Sequence, residues 1–358
     1  MNAVLCGIGG CIPPRIVSNE EIFGDKRRLS DWIERMTGIV ERRMVTGGLS
    51  TRDLAIEAGT RALASAGNPP IDAVVVATAS PDRICPAVAP EVATRLGLGK
   101  VAAYDINSAC SGFVYGLATA SGLIASGIAR HVLFIGAEAF STMVNPNDRN
   151  TRPIFGDGAG AVVLRSGHAD EDGALGPFDL GSDGELPDLL SIDAGGSRQR
   201  SSNGLGHGEL AIEDWYLKMD GTKVYGHAVA RMTESARCVL GKAGWGYDDV
   251  AWFVGHQANV RILNTIGYEL GFPSDRIAVN IGKVGNTVTA SIPLLLTELA
   301  AGGKLAAKDR ILISAFGAGL SWGSTVMTWP KLEVRGIEWS ESEVSEAQAS
   351  QTSLTEQS

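Results

Sequence analysis

Apolar positions along the chain fall into two kinds of run that alternate. Short stretches rich in β-forming residues, AVVVATA (73 to 79) and HVLFIGAE (131 to 138), read as strands. Ala-rich stretches of helical period, such as LATASGLIASG (117 to 127), read as helices. Strand and helix in alternation predict an α/β protein.

The same pattern occurs twice. ALASAGNPPIDAVVVATA near residue 70 resembles VLGKAGWGYDDVAWFVGHQ near residue 250, and Ala66, Gly67 and Asp72 map to Ala243, Gly244 and Asp249 at a constant offset of 177. RLGLGKVAAYDINSAC (95 to 110) parallels ELGFPSDRIAVNIGKVGN (269 to 286), and RHVLFIGAE (130 to 138) parallels DRILISAFG (309 to 317). Two similar halves are therefore expected, residues 1–170 and 171–335, with Cys110 in one corresponding to Asn286 in the other. A duplicated βαβ architecture brings corresponding loops together at the strand ends where open sheets bind ligands.

Composition narrows the function classes. The 358 residues carry 31 Lys+Arg against 40 Asp+Glu, a formal charge of −9, which argues against nucleic acid and acidic membranes as partners. No apolar run reaches the roughly 18 residues that span a bilayer. The start, MNAVLCGIGGCIPPR, lacks the basic leading segment of a signal peptide. Five scattered Cys (6, 11, 85, 110 and 238) without a paired spacing fit neither a disulfide framework nor a zinc site, so a cytoplasmic protein without a metal is expected. The segment 338–358 holds five Glu, no Lys or Arg and many Ser, Thr and Gln, and reads as a disordered acidic tail.

Cys110 lies where the strand VAAYDI gives way to a helix rich in small residues. A thiol at a helix N-terminus is expected to have a lowered pKa, because the macrodipole and free N–H groups favour thiolate. His256 follows the apolar run VAWFVG and is expected at a strand end, where it can exchange protons. Asn286 sits between Gly285 and Thr287 in a turn. Taken singly, a buried structural Cys, a satisfied His and a helix-capping Asn are the commoner fates. The duplication brings the three to one end of the molecule, as a nucleophile with two hydrogen-bond donors. Two glycine runs, FGDGAGA (155 to 161) and AFGAGLSWG (315 to 323), match no phosphate-cradling pattern and read as tight turns that buttress the site. His131, His168, His207 and His227 have no ligand spacing and are assigned no chemistry.

These residues carry a resemblance. WIERMTGIVERR (32 to 43), SACSGF around Cys110, NPNDRNTRPIFGDGAGA (145 to 161), GHQANVRI around His256, GNTVTASIP around Asn286 and FGAGLSWG (316 to 323) occur in the order and spacing of the β-ketoacyl-acyl carrier protein synthase III family, which the core to about residue 330 resembles. The resemblance implies the thiolase fold, βαβαβαββ halves in a five-layer αβαβα arrangement, and a homodimer. It implies a Cys-His-Asn triad, here Cys110, His256 and Asn286. An oxyanion hole is implied at the N–H groups of Cys110 and Ala318, with Gly317 and Gly319 allowing close approach and Phe316 walling off water. Trp32 and Arg149 match positions that hold the adenine end of coenzyme A. Met36 replaces a neighbouring Arg of the family, with Arg35 one residue earlier. Arg261 matches a carrier-protein docking residue, whereas Gly226, Gly267 and Tyr268 stand where that face is otherwise basic. Cys85 falls at the far wall of the acyl pocket, contributed by the dimer partner, where a small side chain leaves room for an acyl group broader than acetyl.

The activity so implied is an acyltransferase's decarboxylative Claisen condensation. Cys110 takes the acyl group of an acyl-CoA starter, and a malonyl thioester on acyl carrier protein or coenzyme A supplies the carbanion. The alternative is transfer of the acyl group to a hydroxyl or amine of a small natural product without decarboxylation. Coenzyme A thioesters enter as substrates, and no cofactor is implied.

Overall fold

The computed structural model describes residues 1–202 and 211–355, with side chains described for 1–201 and 211–349. The first half forms a sheet from β1 (Asn2–Cys11), β2 (Ala73–Ala77), β3 (Ala102–Ile106), β4 (His131–Glu138) and β5 (Gly158–Gly167), in the order β1-β5-β4-β2-β3. The second forms one from β6 (Leu175–Ser182), β7 (Trp252–Gly255), β8 (Arg310–Gly317) and β9 (Ser321–Thr328), in the order β6-β9-β8-β7. A parallel bridge from Phe253 to Ile277 stands where the first sheet has β3. Pairing directions agree as well: β4–β2 and β8–β7 are parallel, β5–β4 and β9–β8 antiparallel.

Helices pack on these sheets and on one another. The longer ones, in chain order, are α1 (Arg27–Thr37), α2 (Thr51–Ser65), α3 (Gly112–Ala125), α4 (Gly221–Ala243), α5 (Val260–Leu270), α6 (Ser291–Ala301) and α7 (Glu341–Thr355). α3 and α6 lie between the sheets and touch strands of both, while α2 covers the outer face of the first sheet and α4 that of the second. The result is the αβαβα layering of the thiolase fold. The strand β2 shows why a continuous apolar run was required: Val75 packs on the central helices, Val74 and Val76 pack under α2, and all are fully buried.

The internal repeat is real, but its register shifts. Helix ends correspond at 177, since Gly67 and Gly244 both take φ near +70° (76° and 67°) after their helices. The strands correspond at 179. Ala73 pairs with Val132 as Trp252 pairs with Ile311, and Asp72 N–H donates to His131 O as Ala251 N–H donates to Arg310 O. A short turn at Tyr247–Asp249 supplies the two extra residues. At this offset Cys110 corresponds to Thr289, and the counterpart of Asn286 is Asn107, not Cys110. A sequence alignment without gaps does not see the insertion.

Two further expectations are corrected. The glycine runs are largely strand rather than loop, belonging to β5 and to β8 and β9. The segment from 338 is not disordered over the residues described. Ile12 N–H donates to Ile337 O, Trp339 is buried at 2% exposure, and Val344 joins the same core under α2. Ser340 caps α7, its Oγ donating to Glu343 and accepting from Glu343 N–H. Average composition hid two apolar anchors and a helix start. No helix among the described residues is long and apolar enough to cross a membrane.

Candidate active site

Cys110 is positioned by a turn. After β3, Asn107 Oδ1 accepts from Ala109 N–H at 3.1 Å, Ala109 takes φ 43°, and a single 3-10 turn (Ala109–Ser111) runs into α3. The second half clamps this turn from outside. Thr289 Oγ1 donates to Ala109 O at 2.7 Å, and Ser111 and Ser321 share a hydroxyl contact at 2.8 Å. A Cβ on Gly317 would lie 2.7 Å from Cys110 N, so only glycine lets the β8 end settle on the nucleophile's backbone. In this site Cys110 is 7% exposed, and burial, followed by the nearby Glu138 carboxyl, pushes its thiol pKa up. The direction is opposite to the expectation of a depressed thiol, and burial is its largest cause.

Asn286 is held by its backbone and by one end of its amide. Its N–H donates to Ile154 O at 2.9 Å and its O accepts from Gly156 N–H at 3.0 Å. Oδ1 accepts from Val288 N–H at 2.9 Å, so the NH2 end remains to donate. His256 follows β7 with its N–H on Ser314 O at 2.9 Å. Its ring is 3% exposed, and burial lowers its pKa to about 3, so the imidazole is neutral. Its Nδ1 lies 2.7 Å from Ser291 Oγ.

Two cavities meet at Cys110. One, of about 130 Å³, is lined by Cys110, His256, Asn286 and Phe316 and by Tyr225 and Thr37. The other, of about 260 Å³, lies across the sulfur and is lined by apolar side chains including Phe140, Leu190, Ile192, Leu217 and Val288. Gly317 lines the first and Ala318 the second, so the β8 end passes between them over the thiol. Gly319 lines neither. A larger groove of about 970 Å³ lies between α2 and the C-terminal segment, away from these residues, and its Arg61 and Arg335 are paired with Glu57 and Glu343.

The remaining expected residues lie outside both cavities. Trp32, at 42% exposure, and Arg35 sit on α1, whose last residue Thr37 reaches the first cavity, and Arg149 is exposed on the 144–157 segment. Arg261, exposed at the start of α5, reaches over Tyr225 with its guanidinium 5.9 Å from the ring, and its Nη1 lies 3.5 Å from Met36 Sδ. Cys85 is exposed. His207 lies outside the described residues. Among the described residues no group of three or more His, Cys, Asp or Glu could hold a metal ion.

Several contributors were not singled out from the sequence. Ser291 contacts the imidazole. Glu138, fully buried at the end of β4, accepts from Ala79 N–H and Ser80 Oγ, and burial raises its pKa to about 7. Asp157 accepts from Ser141 and Val45 N–H and ties the 141–157 segment to the strand β5, with its pKa raised by burial to about 6. The lining residues Leu190, Ile192 and Leu217 come from the segment between β6 and α4 and carry no motif. Ser291, Asp157 and Glu138 had a local signal, lying inside GNTVTASIP, FGDGAGA and HVLFIGAE.

A buried Cys, a neutral His and a donating Asn in a five-layer duplicated fold define a condensing enzyme of the thiolase superfamily. Residues 104–184 match the family profile described as 3-oxoacyl-[acyl-carrier-protein (ACP)] synthase III, and residues 240–329 match its C-terminal profile. A β-ketoacyl-[acyl-carrier-protein] synthase III of Streptomyces coelicolor is 51% identical over 333 residues, covering 92% of this chain and 98% of that protein. The crystal structure of 3-oxoacyl-(acyl carrier protein) synthase III from Pseudomonas aeruginosa superposes with a TM-score of 0.85 at 44% identity, covering 93% of this chain and 100% of the other. The priming β-ketosynthase of a polyketide biosynthetic pathway superposes with a TM-score of 0.83 at 32% identity, covering 92% and 97%. The chain belongs to the β-ketoacyl-acyl carrier protein synthase III family.

Proposed function

We propose that this protein condenses an acyl-CoA starter with a malonyl thioester carried on acyl carrier protein, initiating a fatty acid or polyketide chain. The observation that carries this reading is the place of Cys110 as a shared wall of two cavities, one that holds the His256 and Asn286 donors and one that runs between Phe140, Leu217 and Val288. The Cys110 sulfur adds to the acyl-CoA carbonyl, the coenzyme A sulfur leaves with the proton, and the acyl chain enters the apolar cavity. The malonyl thioester then enters the other cavity and loses CO2. The electrons of the broken C–C bond form an enolate, whose oxygen receives hydrogen bonds from the Asn286 amide and the His256 imidazole. Because His256 is neutral, it contributes a donor rather than a fixed charge.

The enolate carbon attacks the acyl-Cys110 carbonyl. The oxyanion so formed is held by the N–H groups of Cys110 and Ala318, and its collapse releases a β-ketoacyl thioester and expels the Cys110 thiolate, which takes a proton from solvent to restore the thiol. Phe316, 4% exposed, keeps water from the decarboxylating group. Trp32, Arg35 and Arg149 take the nucleotide end of coenzyme A, and Arg261 meets the carrier protein. The acyl chain lies in the cavity of about 260 Å³, and the small Cys85 that the dimer partner places at its far wall leaves room for a starter broader than acetyl. The protein acts in the cytoplasm as a homodimer of two-half subunits (1–170 and 171–335). Cys85, which lines neither cavity of its own chain, borders the partner's acyl cavity.

Incubation with a panel of acyl-CoAs, intact-mass measurement and then addition of malonyl carrier protein tests this reading. The expected result is an acyl adduct on Cys110 that is discharged with CO2 release. Discharge only by an added alcohol or amine would replace condensation with simple acyl transfer, and absence of any adduct would remove the reading.

A further inference from the structure

Behind His256 lies a hydroxyl with no other hydrogen-bond acceptor in reach. Ser291, the first residue of α6, is 1% exposed, and its Oγ lies 2.7 Å from His256 Nδ1. Its other contact is with Gln257 N–H, which donates to Oγ at 3.4 Å. A backbone N–H cannot accept, so that contact occupies a lone pair of the hydroxyl and leaves its proton to be placed. Among the described residues, the acceptor within hydrogen-bond range is Nδ1. A neutral imidazole carries one proton, and an Nδ1 that accepts leaves that proton on Nε2.

We propose that Ser291 is a positioning residue that donates to His256 Nδ1 and thereby fixes the Nε2–H tautomer, so that the imidazole presents a donor, not an acceptor, to the cavity it shares with Cys110 and Asn286. This rests on the condensing function proposed above. Both polar groups facing the malonyl carbonyl are then N–H donors: Asn286 because Val288 N–H fixes its Oδ1, and His256 because Ser291 fixes its Nδ1. One hydrogen bond from the protein sets each. The same tautomer has no lone pair on Nε2, so His256 cannot serve as the base for the Cys110 thiol. Loading of the acyl group and decarboxylation therefore depend differently on Ser291.

The test labels histidine with 15N and reads the imidazole nitrogens of the folded protein by long-range proton–nitrogen correlation, with His256→Gln identifying the His256 signals. The expected spectrum of the unaltered protein has a protonated Nε2 and an unprotonated Nδ1. Ser291→Ala should populate the Nδ1–H form and slow condensation about ten- to a hundredfold, the range typical of groups that orient a site from behind. Acyl loading on Cys110, read by intact mass, should persist, because the imidazole takes no proton in that step, and Ser291→Thr, which keeps the hydroxyl, should recover condensation. A protonated Nδ1 in the unaltered protein overturns the proposal, as does a folded Ser291→Ala protein that condenses at the original rate. If Ser291→Ala does not fold, the spectrum of the unaltered protein decides. If that spectrum shows Nε2–H while loaded protein releases no CO2 from malonyl carrier protein, the tautomer assignment stands and the condensing function fails.

Discussion

The turn that leads to Cys110 and the turn that holds Asn286 share one backbone design. Asn107 Oδ1 accepts from the N–H two residues on, at 3.1 Å, and Asn286 Oδ1 does the same at 2.9 Å. The residues that follow, Ala109 and Val288, take φ 43° and 49°, a left-handed conformation unfavourable for both and more so for a β-branched side chain. Each turn then makes one 3-10 turn and enters a helix between the sheets. What differs is the next side chain and the cavity each turn faces. Cys110 touches both cavities, while its counterpart Thr289 spends its hydroxyl on Ala109 O and locks the first turn. Asn107 lines the cavity across the sulfur and Asn286 the one that also holds His256. Duplication supplied a backbone that tolerates strain, and chemistry followed from what each copy faces.

That comparison breaks most severely at the sulfur. Cys110→Ala should abolish the acyl adduct and lower condensation by more than about a thousandfold, and adding Thr289→Cys should not restore an adduct, as intact mass would show. A labelled residue 289 would mean that the two turns are interchangeable. Next in size, Asn286→Ala should slow CO2 release about a hundred- to a thousandfold, the usual effect of losing one oxyanion donor, while loading persists. Asn107→Ala removes the same turn bond and should cost about 1 kcal/mol in denaturant unfolding with less than tenfold loss of turnover. Equal kinetic losses at 107 and 286 would make the Asn286 amide a turn former only.

The halves also respond oppositely to pH. His256 has a folded pKa near 3 against 6.5 unfolded, so below pH 6.5 the unfolded chain takes a proton that the fold refuses. Its contribution is complete above 6.5 and is lost as pH falls toward 3, by about 1.4 kcal/mol per unit. Glu138 and Asp157, in the first half, have folded pKa values near 7 and 6 against 4.5 and 3.8. Their stabilisation is complete below those lower values and is lost as pH rises through 6 and 7. The free energy of unfolding, followed from pH 7.5 down to 4, should therefore gain less on acidification for Glu138→Gln than for the unaltered protein, whereas His256→Gln should remove the acid-side loss. Profiles that coincide for all three proteins would mean that these groups are not buried as described. The smallest effect concerns the thiol. Removing the Glu138 charge should shift the pH midpoint of Cys110 alkylation downward by about one unit or less, and an upward shift would contradict the placement of that carboxyl.

Legibility in the sequence followed the range of the forces involved. AVVVATA and HVLFIGAE became β2 and β4 because uninterrupted apolar runs can only be buried on both faces. Cys110, His256 and Asn286 were legible through local motifs at strand ends. The raised Cys110 pKa is not legible in the sequence, because the burial and the Glu138 carboxyl that raise it come from elements distant along the chain. The tail was misread because Trp339 and Val344 are few among polar residues, and their burial depends on a groove beside α2 that composition does not register.

By itself, the order of residues determined the alternation of strands and helices, the repeat, and which side chains carry reactive chemistry, since periodicity and residue type act over a few neighbours. Only the tertiary structure decided the two-residue shift that pairs Asn107 with Asn286, the protonation state of the thiol and the imidazole, the hydroxyl behind His256, and the two cavities that meet at one sulfur. Each of these depends on desolvation or on a contact between segments far apart in the chain, and neither is written in any local stretch of it.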